Sequence, residues 1–273
     1  MKFNKKKFTS KIKNNNKNSK FSANKSANFK IKISSSQNFF LWGKHALEAA
    51  FSNSKRKIIN IYCTAEMNDW IGEQLKKNER NIQKINETDR KSLDEHALSS
   101  PHQGVMAEVQ PLTWLSLEEY VSQNNGKMCL VLLDQLTNPQ NIGSILRTSN
   151  AFNVDGVVVT KNNTPLENGL MARAAAGAIE TMPLIRVTNL SRTIDYLIKN
   201  SFFVIGLEKN GKENIKNCGG NPQTALVLGS ENQGLRRLTK EKISTSAKIP
   251  IAVQTESLNV SNAAAIALYA IQS

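Results

Sequence analysis

From residue 128 onward the chain alternates short apolar runs with longer amphipathic stretches. "CLVLLD" (129–134), "GVVVT" (156–160), "MPLIRV" (182–187), "FFVIGL" (202–207), "TALVLG" (224–229) and "AKIPIA" (247–252) are apolar at most positions. Runs this short and this apolar predict strands covered on both faces, as in a parallel sheet. Helical spacing appears between several of them, over 139–152 and 191–199. The alternation predicts a parallel α/β domain, with ligands outside the carboxyl ends of its strands. The last segment, from Asn259 to Ser273, carries no charge and predicts an apolar closing helix.

A different rhythm precedes it. In "WGKHALEAAF" (42–51), Ala46, Leu47, Ala50 and Phe51 fall at helical spacing. "KIINIYCT" (57–64) reads as a strand, 66–77 as a helix, "NIQKI" (81–85) as a strand, 89–98 as a short helix and "GVMAEVQ" (104–110) as a last strand. This predicts a small α/β unit over 37–110. Residues 111–127 form a connecting stretch with a short helix inside it.

Charge changes the picture at the N-terminus. Residues 1–36 hold 11 Lys and no Asp or Glu, so most of the net charge of +14 sits there. The segment is also rich in Asn and Ser, and it predicts a disordered tail that adds affinity for RNA phosphates without choosing a sequence. It is poor in acids, as transit peptides are, but it lacks their Arg. A cytoplasmic, bacterial-type setting is expected, with an organelle as the alternative if the tail is a transit peptide. No apolar run is long enough to span a membrane. Cys63, Cys129 and Cys218 show no C-x-x-C spacing and are expected to be buried thiols.

Chemistry is offered by three polar loops that follow apolar runs. In "LDQLTNPQNIGSILRTSNAF" (133–152), Asn138 suits a helix cap and Pro139 the first helical position. Gly143 and Arg147 are four apart and share a helix face, with the glycine leaving room beside Arg147. In "GSENQG" (229–234), turn chemistry accounts for both glycines but not for Glu231. In "IPIAVQTESLNVSNAAAIALYAI" (249–271), Ser257, Asn259 or Ser261 can cap the closing helix. Neither a G-x-G-x-x-G fingerprint nor a Walker A loop is present.

Together these loops read N-x-G-x-x-x-R (Asn141, Gly143, Arg147), G-x-E-x-x-G (Gly229, Glu231, Gly234) and I-P…S-L-N-x-S (Ile249, Pro250, Ser257, Leu258, Asn259, Ser261). In that order and spacing they resemble the SpoU, or TrmH-like, branch of the SPOUT RNA methyltransferases over 129–273. "PHQGVMAEV" (101–109) and "AAGAIETMPLIRVTNLSRT" (175–193) look like the members of that branch that methylate a guanosine ribose in bacterial large-subunit ribosomal RNA. Residues 39–110 then match those members' L30e-like RNA-binding domain.

The resemblance implies a C-terminal trefoil knot, which periodicity does not reveal. It implies S-adenosylmethionine as methyl donor, no metal, and a homodimer joined through the knot domain. Gly229, Ile249 and Leu258 would hold the adenosine. Arg147 is the candidate catalytic residue, with Asn141, Glu231, Ser257 and Asn259 around it. A guanidinium keeps its proton up to a pH above about 12, so gripping a phosphate or a developing alkoxide suits Arg147 better than acting as base. Glu231 would orient Arg147 or take the proton through water. Lys44, His45, His102 and Gln103 are the candidate RNA contacts. Two rival readings stand beside this one: a transfer RNA ribose methyltransferase, and a catalytically silent RNA-binding or ribosome-assembly protein.

Overall fold

The computed structural model describes residues 31, 33–82, 84–98, 100–124, 126–230 and 233–272. The N-terminal domain runs β1 (Phe39–Trp42), α1 (Lys44–Ser52), β2 (Ile58–Cys63), a 3-10 turn (Ala65–Met67), α2 (Asn68–Lys77), β3 (Ile85–Glu87), α3 (Arg90–His96) and β4 (Val105–Val109). Its sheet has the order β1-β4-β2-β3, with β4 antiparallel to both neighbours and β2 parallel to β3. The helix α4 (Leu117–Ser122) connects the domains and starts in a capping box between Ser116 and Glu119.

The C-terminal domain runs β5 (Met128–Asp134), α5 (Pro139–Ala151), β6 (Gly156–Thr160), α6 (Gly169–Ala175), β7 (Leu184–Val187), α7 (Leu190–Lys199), β8 (Phe203–Leu207), β9 (Glu213–Asn214), β10 (Gln223–Gly229), α8 (Arg237–Lys240), β11 (Thr245–Lys248) and α9 (Val260–Gln272). Among the described residues its seven strands pair in parallel in the order β7-β6-β5-β10-β8-β11-β9. From β5 the chain winds outward through β6 to β7, then returns on the far side of β5 through β8 and β10. The order therefore reverses between β5 and β10. Asp134 and Gly229, the last residues of these strands, are register partners there. A crevice opens at such a switch point because the connections leave in opposite directions.

The central apolar runs behave as their pattern predicts. Every residue of β5 and of β6 is buried. One hydrophobic cluster is continuous across the domains, from Phe39, Leu47, Phe51 and Val109 to Val131, Ile142 and Ile145. The domains are joined by packing as well as by the chain.

Three expectations are corrected. The strand expected at 81–85 is the three-residue β3, beginning at Ile85. The strand expected over 247–252 stops at Lys248, and Pro250, which has no N–H to give a ladder, lies beyond it. The pattern did not reveal β1, α6, β9 or α8, all short, and four of the seven residues of α6 are Gly or Ala. The expected tail ends too late at 36. Ile31 is buried among Phe40, Trp42 and Tyr62, and Ser34 donates from both its N–H and its hydroxyl to Glu108, each at 2.6 Å. Residues 1–30 and 32 lie outside the described residues.

Candidate active site

Two adjoining cavities lie outside the carboxyl ends of the central strands. The larger, of about 540 Å³, is bounded by segments that follow β8, β10 and β11. The smaller, of about 260 Å³, lies between the segments that follow β5 and β10. Ser230 and Gln233 line both, so the two open onto each other.

The motif loops supply the walls. Asn138 caps α5, its side chain accepting from the N–H groups of Gln140 and Asn141, with Pro139 next in line. This cap fixes Asn141, which lines the smaller cavity. The Asn259 amide donates to Asn141 Oδ1 at 3.2 Å, and Asn259 Oδ1 accepts from Ser261 N–H at 2.9 Å. Asn259 thus caps α9 and bonds the third motif to the first. Gly229, Ile249, Ser257 and Leu258 line the larger cavity.

Both glycines serve packing. A Cβ on Gly143 would fall 2.3 Å from the Met171 carbonyl oxygen, so this glycine lets α5 and α6 touch. It is buried and does not clear space for the exposed Arg147. A Cβ on Gly229 would fall 2.1 Å from the Gly234 carbonyl carbon. The loop folds back on itself there, with Ser230 and Gly234 exchanging backbone hydrogen bonds at 3.2 and 2.9 Å.

Among the described residues, Arg147 is exposed on α5 and is not grouped with the motif residues that line the cavities. It follows Asn141 by six positions, about 9 Å along α5 and on another face, and lines neither cavity. Glu231 lies outside the described residues. The N-terminal candidates separate. His45 is exposed on α1 beside Glu48, and the Lys44 ammonium sits 5.6 Å from the Trp70 ring centre. Gln103, exposed and at φ 55°, accepts from Lys44 N–H at 2.8 Å. His102 is 5% exposed, with Nδ1 accepting from Gly104 N–H at 3.0 Å and Nε2 meeting Asp94 at 3.1 Å. One ring nitrogen shapes the turn at Gly104 and the other meets α3. The three cysteines are buried, and burial pushes the Cys63 thiol up to about 12 and Cys129 to about 11.

Sequence reasoning missed Asp134. This carboxylate is 1% exposed at the tip of β5. It accepts from Arg236 Nε at 2.6 Å, Arg236 N–H at 3.1 Å and the Thr239 hydroxyl at 2.7 Å. It ties the loop after β10 to the end of β5. The available signal was a carboxylate closing an otherwise apolar run.

The larger cavity fits an adenosyl cofactor. Leu228, Ile249, Leu258 and Ala263 offer apolar contact for a flat base, while Ser230, Glu208 and Lys209 offer polar partners to its charged end. A switch-point crevice with these walls, joined to a separate α/β domain, defines a two-domain, cofactor-dependent transferase. Residues 128–269 match the model of the SpoU rRNA methylase family, and residues 40–115 match that of the RNA 2′-O ribose methyltransferase substrate-binding domain. A Staphylococcus aureus protein assigned to the TrmH family of tRNA/rRNA methyltransferases is 38% identical over 199 residues, covering 72% of this chain and 80% of its own. A Staphylococcus epidermidis protein of the same description is 35% identical, covering 83% and 92%. In fold, the chain resembles the SpoU methyltransferase AviRb from Streptomyces viridochromogenes, solved with AdoMet, at a TM-score of 0.74 and 21% identity over 86% of this chain and 89% of that one. The chain belongs to the SpoU, or TrmH, family of RNA methyltransferases. Its activity is S-adenosylmethionine-dependent methylation of a ribose 2′-oxygen in RNA.

Proposed function

We propose that the protein methylates the 2′-oxygen of a guanosine in large-subunit ribosomal RNA, the reading known as RlmB, and that it does so as a homodimer. The observation that carries the reading is the joining of the motifs at the switch point, where Asn259 bonds Asn141 and the two cavities meet at Ser230 and Gln233. The bound cofactor supplies an activated methyl group on sulfonium. The chain's own task is to align the ribose oxygen and to ease the loss of its proton.

In this reading Gly229, Ile249 and Leu258 hold the adenosine, Ser257 faces the larger cavity beside them, and Asn259 ties their loop to Asn141 at the smaller one. Asn141 orients the ribose. Arg147 grips a phosphate or the developing alkoxide, and Glu231 orients it or takes the proton through water. The dimer is supported by α9, where Ile266 is 43% and Tyr269 65% exposed, an unusual surface for an apolar helix. Tyr269 also stacks edge-on near Phe152 at the end of α5, the helix that carries Arg147. In such a dimer α5, which carries Arg147, would run close to the second subunit. The trefoil knot implied by the resemblance belongs to the same C-terminal segment.

The domain at 39–110 selects the RNA, with Lys44, His45 and Gln103 at one edge. The test is a map of 2′-O-methyl sites in ribosomal and transfer RNA before and after deletion of the gene. Loss of methylation at one large-subunit guanosine is the expected result. Loss at a transfer RNA ribose would move the substrate, and an unchanged map would overturn the reading.

A further inference from the structure

We infer that Arg236 is a phosphate-gripping residue of the RNA cleft, held in position by the buried carboxylate of Asp134. Four cations lie close together, at positions 236, 237, 240 and 242, and each has an acidic partner. Arg237 pairs with Glu241, Lys240 with Glu208 and Lys242 with Asp195, all partly exposed carboxylates. Pairs of that kind exchange readily with water and fix little. The partner of Arg236 is different: the Asp134 side chain is 0% exposed, while that of Arg236 is 39% exposed.

The geometry explains the difference. Asp134 takes the Nε–H of Arg236 at 2.6 Å and also its backbone N–H at 3.1 Å, so both ends of the side chain are set. Thr239 completes the set at 2.7 Å, which leaves the buried carboxylate well satisfied. A guanidinium has five N–H donors in a rigid fork, and Asp134 uses one of them. The remainder of the group is at the surface, already oriented, two residues after Gly234 of the larger cavity. Gln135, next to Asp134, lines the smaller cavity and holds a left-handed backbone at φ 61°. Arg236 lines neither cavity itself, but it is anchored just beyond the loop whose Ser230 and Gln233 line both. A ribose 2′-oxygen neighbours the 3′-phosphate of its own nucleotide, so an RNA held for methylation presents an anion close to its target. A pre-oriented guanidinium is the group suited to it.

The inference rests on the RNA-methylation reading, and the test separates the two. The full chain and its Arg236→Ala, Arg236→Lys and Asp134→Asn variants are titrated with a transcript of large-subunit ribosomal RNA over a salt series. Methyl transfer and S-adenosylmethionine affinity are measured alongside. Arg236→Ala is expected to raise the KM for RNA about tenfold and to lower the slope of log K against log salt by roughly one, with cofactor affinity unchanged. Arg236→Lys should restore the slope but not the full rate, and Asp134→Asn should keep the slope while lowering kcat. An Arg236→Ala protein with wild-type slope and KM overturns the assignment. If that variant does not fold, Arg236→Gln, which keeps an N–H for Asp134, decides on the same slope. A wild-type protein that transfers methyl to no RNA would instead refute the functional reading.

Discussion

Among the described residues two arginines form ion pairs with buried carboxylates, and they are built to different ends. Arg56, at the domain boundary, is 0% exposed. Its Nε lies 3.0 and 2.9 Å from the two carboxylate oxygens of Glu180, and its Nη1 meets Glu167 at 3.0 Å and the Gln110 carbonyl at 2.6 Å. Both acids come from the other domain, so the arginine is spent inside the joint. Arg236, at the cleft, uses Asp134 in the same way but keeps much of its guanidinium at the surface. The same ion chemistry makes a fastening when both partners are enclosed and a held contact group when only one is.

The largest effect should come from breaking the enclosed joint. Arg56→Ala leaves Glu167 and Glu180 buried without the cation that bonds them both, which costs about 3–5 kcal/mol. Urea denaturation should show it as a large fall in the midpoint. A loss under about 1 kcal/mol would mean that the domains do not depend on this cluster, and the contrast with Arg236 would collapse. Glu167 adds a direction. Desolvation raises its pKa against the opposing pull of Arg56. A carboxylate raised in the folded state favours folding at low pH, and that contribution is lost as pH rises through its folded pKa.

At the cleft, Gly229→Ala is expected to come next. Its new methyl meets the backbone of Gly234, not a side chain that can rotate away. Overpacking of this kind costs about 1–3 kcal/mol. Calorimetry should show weaker S-adenosylmethionine binding as the loop shifts. Unchanged cofactor affinity would show that the fold of the 229–234 loop does not shape the larger cavity.

A smaller change sharpens the role of Asn259. Asn259→Ala removes the cap of α9, worth about 1 kcal/mol, and also the bond to Asn141. Asn259→Asp keeps a capping oxygen for Ser261 but sets an acceptor against Asn141 Oδ1. The aspartate variant should therefore keep the stability that alanine loses, yet slow methyl transfer as alanine does. Equal rates for the wild type and the aspartate variant would reduce Asn259 to a helix cap.

These contrasts also show what the sequence could carry. The parallel sheet was legible because β5 and β6 are buried at every position, and burial on both faces leaves an unbroken apolar run. The cap Asn138-Pro139 was legible because capping is local. The helix α6 was not, since its small residues form a helix against partners far away in sequence: Gly143 lies against it, and a Cβ on its Gly169 would overlap the Trp42 ring. Asp134 and Arg236 are 102 positions apart, and no local pattern pairs them. The burial of His102 was not legible, because a histidine beside a glycine turn reads the same in sequence whether its nitrogens face solvent or the fold. The motif residues were found through resemblance, which identified Asn141 and Asn259 without showing that they bond to each other.

The smallest expected effect lies at the other end of the molecule, where a carboxylate holds the start of the described chain. Glu108 is buried, and desolvation alone would raise its pKa. Hydrogen bonds from Asn38, Ser34 and Asn60 outweigh that and hold it below the ordinary value of 4.5. For a carboxylate depressed in this way, the stabilisation is full above the ordinary value and is lost as pH falls through the lowered folded pKa. Acid should therefore loosen residues 33–38 from β4. Amide exchange of Asn38, whose N–H bonds the Ser35 carbonyl at 3.0 Å, should quicken below pH 4.5 relative to that of the buried strand β5. Glu108→Gln should abolish the difference, because a neutral amide has no proton to gain. If the variant retained the acid response, another carboxylate would have to hold this segment, and Glu108 would join Arg56 as part of the enclosed framework.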